Sequence, residues 1–187
     1  MSLVDGISLM MDEHKNIKRM LKVIRKACFG IVNGKEIDYN DFEMIIDFVR
    51  NYADKHHHGK EEQFLFNRMV DEIGGAAEKL VKYGMLVEHD FGRLHMRELE
   101  EALNKLKAGD EEAKIDVIAN AVGYANLLNR HIEREDTVAY SFARRSLSEE
   151  TLNKINNECT EFEEETSRAK IQEKYIGILE TLEKKYQ

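Results

Sequence analysis

The chain has 187 residues, a formal charge of −8 and a sequence pI near 5.5. Acidic and basic residues are interleaved along it, so it offers no basic face for nucleic acid and no patch for an anionic membrane. No apolar run approaches the ~18 residues of a membrane span, and the N-terminus lacks the basic-then-apolar layout of a signal peptide; a soluble, cytoplasmic protein is expected. The length fits one domain with a sizeable core. Proline is absent while Lys, Glu, Leu, Ile and Met abound, which favours long helices and an all-α fold. Cys28 and Cys159 fall on apolar helical faces and are expected to pack as small hydrophobes.

In the first helix Leu3, Ile7, Met10, His14, Ile17, Leu21, Ile24 and Cys28 alternate steps of four and three, and His14 is the only polar member. This is the stripe of a core-facing helix. Gly30 to Lys35 ends it, and Asp38 is placed to cap the second helix. That helix is predicted over about 39–71, with Phe42, Ile46, Val49, Ala53, His57, Glu61 and Phe64 inward, and Gly74 and Gly75 close it. The third, over about 76–107, carries Met85, His89, Gly92, Met96, Leu99, Leu103 and Leu106 at the same spacing. After Gly109, Asp110 is expected to cap the fourth, whose seam is Val117, Ala121, Tyr124, Leu128, His131, Glu135, Val138 and Phe142. Three short connections imply up-down-up-down topology. Ser148 before Glu149 and Glu150 reads as a further N-cap. It opens an amphipathic stretch through Leu152, Ile155, Cys159, Phe162 and Leu179. The division expected is a four-helix bundle over 1–146 and a C-terminal helical extension over 147–187, broken or continuous, which covers the bundle or lies at an oligomer interface.

Counted from the glycines in the connections, the four seam histidines differ in level by two or three residues. At 1.5 Å rise per residue this is roughly 3–5 Å along the bundle, so His14, His57, His89 and His131 can converge. Glu61 and Glu135 stand four residues after His57 and His131, on the same faces. A buried carboxylate without a partner costs several kcal/mol, and metal cations are the natural partner. Four imidazoles and two carboxylates exceed the needs of one ion and suit a bridged pair. A nitrogen and oxygen set without thiolate suits iron or manganese, and zinc accepts the same donors.

The stretches "DEHKNIKRML", "YADKHHHGKEEQFLF", "LVEHDFGRLHMREL" and "NRHIEREDTVAYSFA" resemble, in this order and spacing, a hemerythrin-like domain of the HHE cation-binding family over about residues 9–142. The resemblance implies a four-helix bundle around a non-haem di-iron centre, the two irons joined by an oxo or hydroxo bridge. Carried over by position, His14 and His57 would bind one iron and His89 and His131 the other, with Glu61 and Glu135 bridging. Ferritin-like proteins would instead show Glu-x-x-His pairs on two helices, and none is present.

Oxygen-carrying hemerythrins have a second histidine four residues after the first on the third helix, where this chain has Arg93. His95 cannot stand in for it, because a six-residue step turns about 240° around the helix. Their fourth-helix carboxylate is an aspartate five residues after histidine; here Glu135 stands at four and Asp136 at five, and Glu135 completes the seam. Four histidines and two glutamates resemble the subgroup that includes bacterial iron-centre repair proteins and a eukaryotic iron-sensing domain. His56 and His58, about 100° to either side of His57, are expected at the boundary or in solvent, and Glu62 outward. Arg93 is either a cation supporting the site or a surface ion-pair partner. Tyr124 is expected to pack.

The function expected from this reading is a di-iron protein that binds or reacts with O2 or NO, or senses iron or redox state. The alternative is an iron donor for damaged iron-sulfur centres, with an iron-sulfur protein as partner. Reversible O2 carriage ranks last, on the missing histidine. No catalytic residue is assigned, and the oligomeric state is open.

Overall fold

A computed structural model describes residues 4–187. The described residues are all helical, with no strand among them. They form six helices: α1 (Gly6–Val32), α2 (39–73), α3 (75–107), α4 (113–146), α5 (Glu149–Arg168) and α6 (Ile171–Lys185). The first four make the expected up-down-up-down bundle. Asp5, Asp38 and Ser148 each accept a hydrogen bond from the backbone N–H three residues on, which satisfies donors that a helix start leaves orphaned. Asp110 does not cap α4 as expected. Its carbonyl accepts from Ala113 N–H in a turn, and the helix begins at Ala113. Between α2 and α3 a single residue reverses the chain: Gly74, at φ 65° and ψ −157°, a region that only glycine enters at little cost.

The helices are not uniformly α-helical. Val49–His58 and Glu61–Phe66 in α2, Val81–Met85 in α3 and Glu135–Ala139 in α4 have the wider π-helical turn. Such turns cluster at functional sites, and here they flank or contain the histidine level. The apolar core is divided at that level. One cluster includes Ile17, Leu21, Phe42, Tyr52, Met96, Leu99, Val117 and Leu128. The other includes Ile7, Met10, Phe66, Met69, Val81, Met85, Tyr140 and Cys159. Along every helix of the bundle the polar layer falls between the two.

The C-terminal segment is two helices rather than one. Lys170 breaks it with a left-handed backbone, φ 56°, although no glycine is present to make that easy. Tertiary contact supplies the compensation. Tyr175, Leu179 and Leu182 are buried in the larger core cluster, and Arg19 grips Glu183 through two nitrogens at 2.9 and 2.6 Å. Lys185 reaches Asp38 at 2.6 Å. Helix α5 packs on α1 and α2. Cys28 and Cys159 are free and buried as expected, and burial pushes their thiols up to about 11 and about 12. No helix of the described residues is long and apolar enough to cross a membrane.

Candidate metal centre

All six expected residues meet in the mid-bundle layer: His14 from α1, His57 and Glu61 from α2, His89 from α3, and His131 and Glu135 from α4. None is more than 1% exposed. A seventh joins them. His58, expected at the boundary or in solvent, is 4% exposed and belongs to the layer. The wide turn of α2 is the reason. With more residues per turn the angle between neighbours shrinks, so consecutive His57 and His58 both face the interior.

Their donor atoms fall into two groups, each within 4.8 Å: His14, His57, Glu61 and Glu135, and His58, Glu61, His89 and His131. Glu61 is common to both. Its Oε2 lies 3.7 Å from His57 Nε2 and 3.5 Å from His89 Nε2. Glu135 spans the groups with its two oxygens. Oε2 is 3.3 Å from His14 Nε2, while Oε1 is 2.9 Å from His131 Nε2 and 3.7 Å from His89 Nε2. His58 stacks on His89 with centroids 3.8 Å apart.

The outward nitrogen of each layer histidine is held by a carboxylate. Nδ1 of His14 bonds Asp136 at 2.7 Å, that of His57 bonds Glu13 at 2.8 Å, and that of His58 bonds Asp54 at 3.3 Å. His89 is held by Glu62 at 2.7 Å and His131 by Glu88 at 2.8 Å. A carboxylate accepts, so Nδ1 carries a proton and Nε2 is the nitrogen turned inward, the orientation that metal-binding histidines take; the inward Nε2 atoms of His89 and His131 lie 3.0 Å apart. Four of these supports run in a ring. Glu13 of α1 serves α2, Glu62 of α2 serves α3, Glu88 of α3 serves α4, and Asp136 of α4 serves α1.

Each carboxylate is in turn tied to a cation. Lys18 holds Asp136, Lys60 holds Glu13, and Arg134 holds Glu88. Arg93 clamps both Asp54 and Glu62, at 2.8 and 2.7 Å. This answers the alternative left open for Arg93: it braces the acids behind His58 and His89. Glu62 does lie toward solvent, yet it orients His89. His95 is elsewhere, against Gly123 and bonded to Asn120.

The layer is poorly compensated by protein atoms alone. Nε2 of His14, His57 and His58, Oε2 of Glu61 and both oxygens of Glu135 are buried without a hydrogen-bond partner. The short histidine–glutamate separations above fall outside hydrogen-bond geometry. Burial and the neighbouring Glu135 charge push the Glu61 carboxyl well up. Glu135 is held well down, because His131, His14 and His89 outweigh its burial. Burial and the His14 charge bring His57 down to about 4. His131 rises to about 9 against its burial, through Glu135 and Glu88. The nitrogen and oxygen donors of the two groups, with Glu61 common to both, fit first-row cations.

Two buried features had no place in the sequence reading. Tyr140 donates to Glu61 Oε1 at 2.5 Å and stacks against His14, fixing one oxygen of the shared carboxylate. A third acidic group, Glu13, His56 and Glu163, already holds a cation. Lys60, fully buried, bonds both carboxylates and lies 3.1 Å from His56. His56, expected at the boundary or in solvent, is 2% exposed, because Phe162 and Glu163 of α5 cover it. The signal for the supporting acids was adjacency: Glu13, Glu62, Glu88 and Asp136 each sit next to a layer residue and so point toward a neighbouring helix.

Helices from four directions that present buried imidazole and carboxylate donors to shared points define a cation-binding helical bundle. The family model described as the hemerythrin HHE cation binding domain matches residues 5–143. The chain belongs to that family. A search of curated proteins found no match.

Proposed function

We propose that the layer holds two iron ions and that the protein uses them to bind or react with a small diatomic ligand, O2 or NO. The observation that carries this reading is the set of imidazole and carboxylate donors converging from four helices, six of their inward atoms buried without a hydrogen-bond partner, with the Nδ1 of each layer histidine bonded to a carboxylate. His14, His57, Glu61 and Glu135 would hold one ion, and His58, His89, His131 and the same two carboxylates the other. Iron supplies reversible one-electron chemistry and coordination positions that a diatomic ligand can take. The chain itself excludes bulk water, fixes the imidazoles through the ring of acids, and anchors Glu61 through the Tyr140 hydroxyl.

His58 changes one step of the sequence argument. With five imidazoles, three face one ion and two the other, so the arginine at position 93 no longer argues against reversible carriage by leaving both ions short of nitrogen donors. Depth weighs against iron donation, since release would require opening the bundle. The test is anaerobic purification with iron supplementation, elemental analysis, and absorption spectra of the reduced protein before and after NO. About two irons per chain and a new NO-dependent spectrum are expected. Fewer than one iron per chain, or a reduced iron form indifferent to both NO and O2, would refute the proposal.

A further inference from the structure

Five acids hold the layer histidines, and one of them is backed differently from the rest. Asp136, Asp54, Glu62 and Glu88 are tied to Lys18, Arg93 and Arg134, cations of the bundle that are each at least 40% exposed. Water and salt screen such pairs. Glu13, which holds Nδ1 of His57 at 2.8 Å, is buried, and the Lys60 behind it is 0% exposed. Lys60 has a second carboxylate partner, Glu163, and that residue comes from α5, outside the bundle. In an interior without screening, charges in such a line are felt strongly.

The junction is closed on all sides. Nε2 of His56 lies 3.0 Å from Glu13 and 3.2 Å from Glu163, and the Phe162 ring covers both His56 and Lys60, at 5.3 and 5.4 Å. Glu163 is not what seats α5. Ile155 and Cys159 are buried in the core cluster of Ile7 and Met10, Gly6 N–H donates to Asn156 at 2.8 Å, and Arg68 of α2 holds Glu158 at 2.8 Å. A lysine shared between two carboxylates draws less on each than it would on one alone. While Glu163 takes part of the Lys60 charge, Glu13 stays a strong acceptor for the His57 Nδ1–H, and a strong acceptor there makes the inward Nε2 a better donor to a cation.

We propose that Glu163 is a positioning residue for the first donor group: acting from α5 through Lys60 and Glu13, it sets the hydrogen bond on Nδ1 of His57 and so tunes the ion between His14 and His57. The second ion, backed by Arg93 and Arg134, is left alone. This rests on the metal-centre reading and adds control of one of the two ions from outside the bundle.

The test uses the full chain, with anaerobic Fe2+ titration against a competing chelator and NMR of the imidazole N–H protons in metal-free protein. Glu163→Gln keeps the shape of the side chain and removes its charge. It is expected to weaken one ion about tenfold, the lower end of what a lost histidine support costs, and to leave the other unchanged. The His57 Nδ1–H proton should move upfield, as a weakened hydrogen bond does, while those of His89 and His131 stay in place. Glu158→Gln cuts the Arg68 contact between the same two helices and should alter neither the affinities nor the His57 proton. An unmoved His57 proton in Glu163→Gln, or equal losses at both ions, would overturn the proposal. The same loss from Glu158→Gln would also overturn it, by reducing Glu163 to a docking contact. Should Glu163→Gln fail to fold, Glu163→Asp, which draws the charge back by one methylene, decides by the same resonance: a smaller upfield move supports the relay, and none refutes it. If the wild-type chain binds no Fe2+, the metal-centre reading fails, while the His57 proton of the metal-free chain still decides whether α5 reaches that histidine.

Discussion

Glu135 and Asp136 are neighbours in sequence with opposite duties, and replacing each by alanine separates them. Glu135 is fully buried, and its two oxygens face His14 on one side and His131 and His89 on the other. Asp136 has 22% side-chain exposure and pairs with the outer nitrogen of His14, at 2.7 Å, and with Lys18, at 3.3 Å. Removing one partner of a buried, compensated charge cluster costs about 3–5 kcal/mol, and each 1.4 kcal/mol is tenfold. Glu135→Ala should therefore weaken metal binding by roughly 10²–10⁴-fold, felt at both ions. Asp136→Ala removes only the acid that orients His14, a loss of about 10–100-fold, confined to the ion held by His14 and His57. The assay is metal titration against a competing chelator, with elemental analysis of each variant after dialysis. Loss of both ions from Asp136→Ala while Glu135→Ala keeps them would show that the shared carboxylate is Asp136 and that the assignment of the layer is wrong.

His58→Ala should retain one ion near His14 and His57 and lose the other, whereas His95→Ala should keep both; equal metal content by elemental analysis in His58→Ala and wild type would remove His58 from the centre. Stripping the metal should lower Tm: with free ion at 100 times Kd each site contributes about 2.7 kcal/mol, roughly 5–11 °C for a domain of this size, read by calorimetry with and without chelator. The carboxyls of Glu62, Glu88 and Asp136 are held below their ordinary values because their histidine and Arg or Lys partners outweigh burial. Since their folded pKa values are depressed, the stability they contribute is present above the ordinary 4.5 of glutamate and 3.8 of aspartate. It drains as pH falls through the lower folded values. Melting of metal-free protein from pH 6 to 3 should show it, and Glu62→Gln should flatten part of the slope.

Local pattern determined the fold and most of the layer. The alternating steps of four and three fixed which face of each bundle helix is buried, and glycines and Asp38 or Ser148 marked boundaries, because these signals act over a turn or two of chain. His14, His57, Glu61, His89, His131 and Glu135 were legible for the same reason: each interrupts an apolar seam, and helical geometry alone places it inward. What ideal helical geometry could not supply was the widened turn in α2. It turns His58 inward beside His57. The ring of acids was also hidden, since Glu13 supports a histidine on α2 and Asp136 one on α1, pairings set by how neighbouring helices rotate against each other. The same holds for Lys60, buried only because α5 brings Glu163 over it, and for the break at Lys170, where contacts of α6 with α1 and α2 override a local preference against the left-handed backbone. Periodicity reports which way a residue faces from its own helix; which atoms it meets depends on the register between helices, and only tertiary packing decides that.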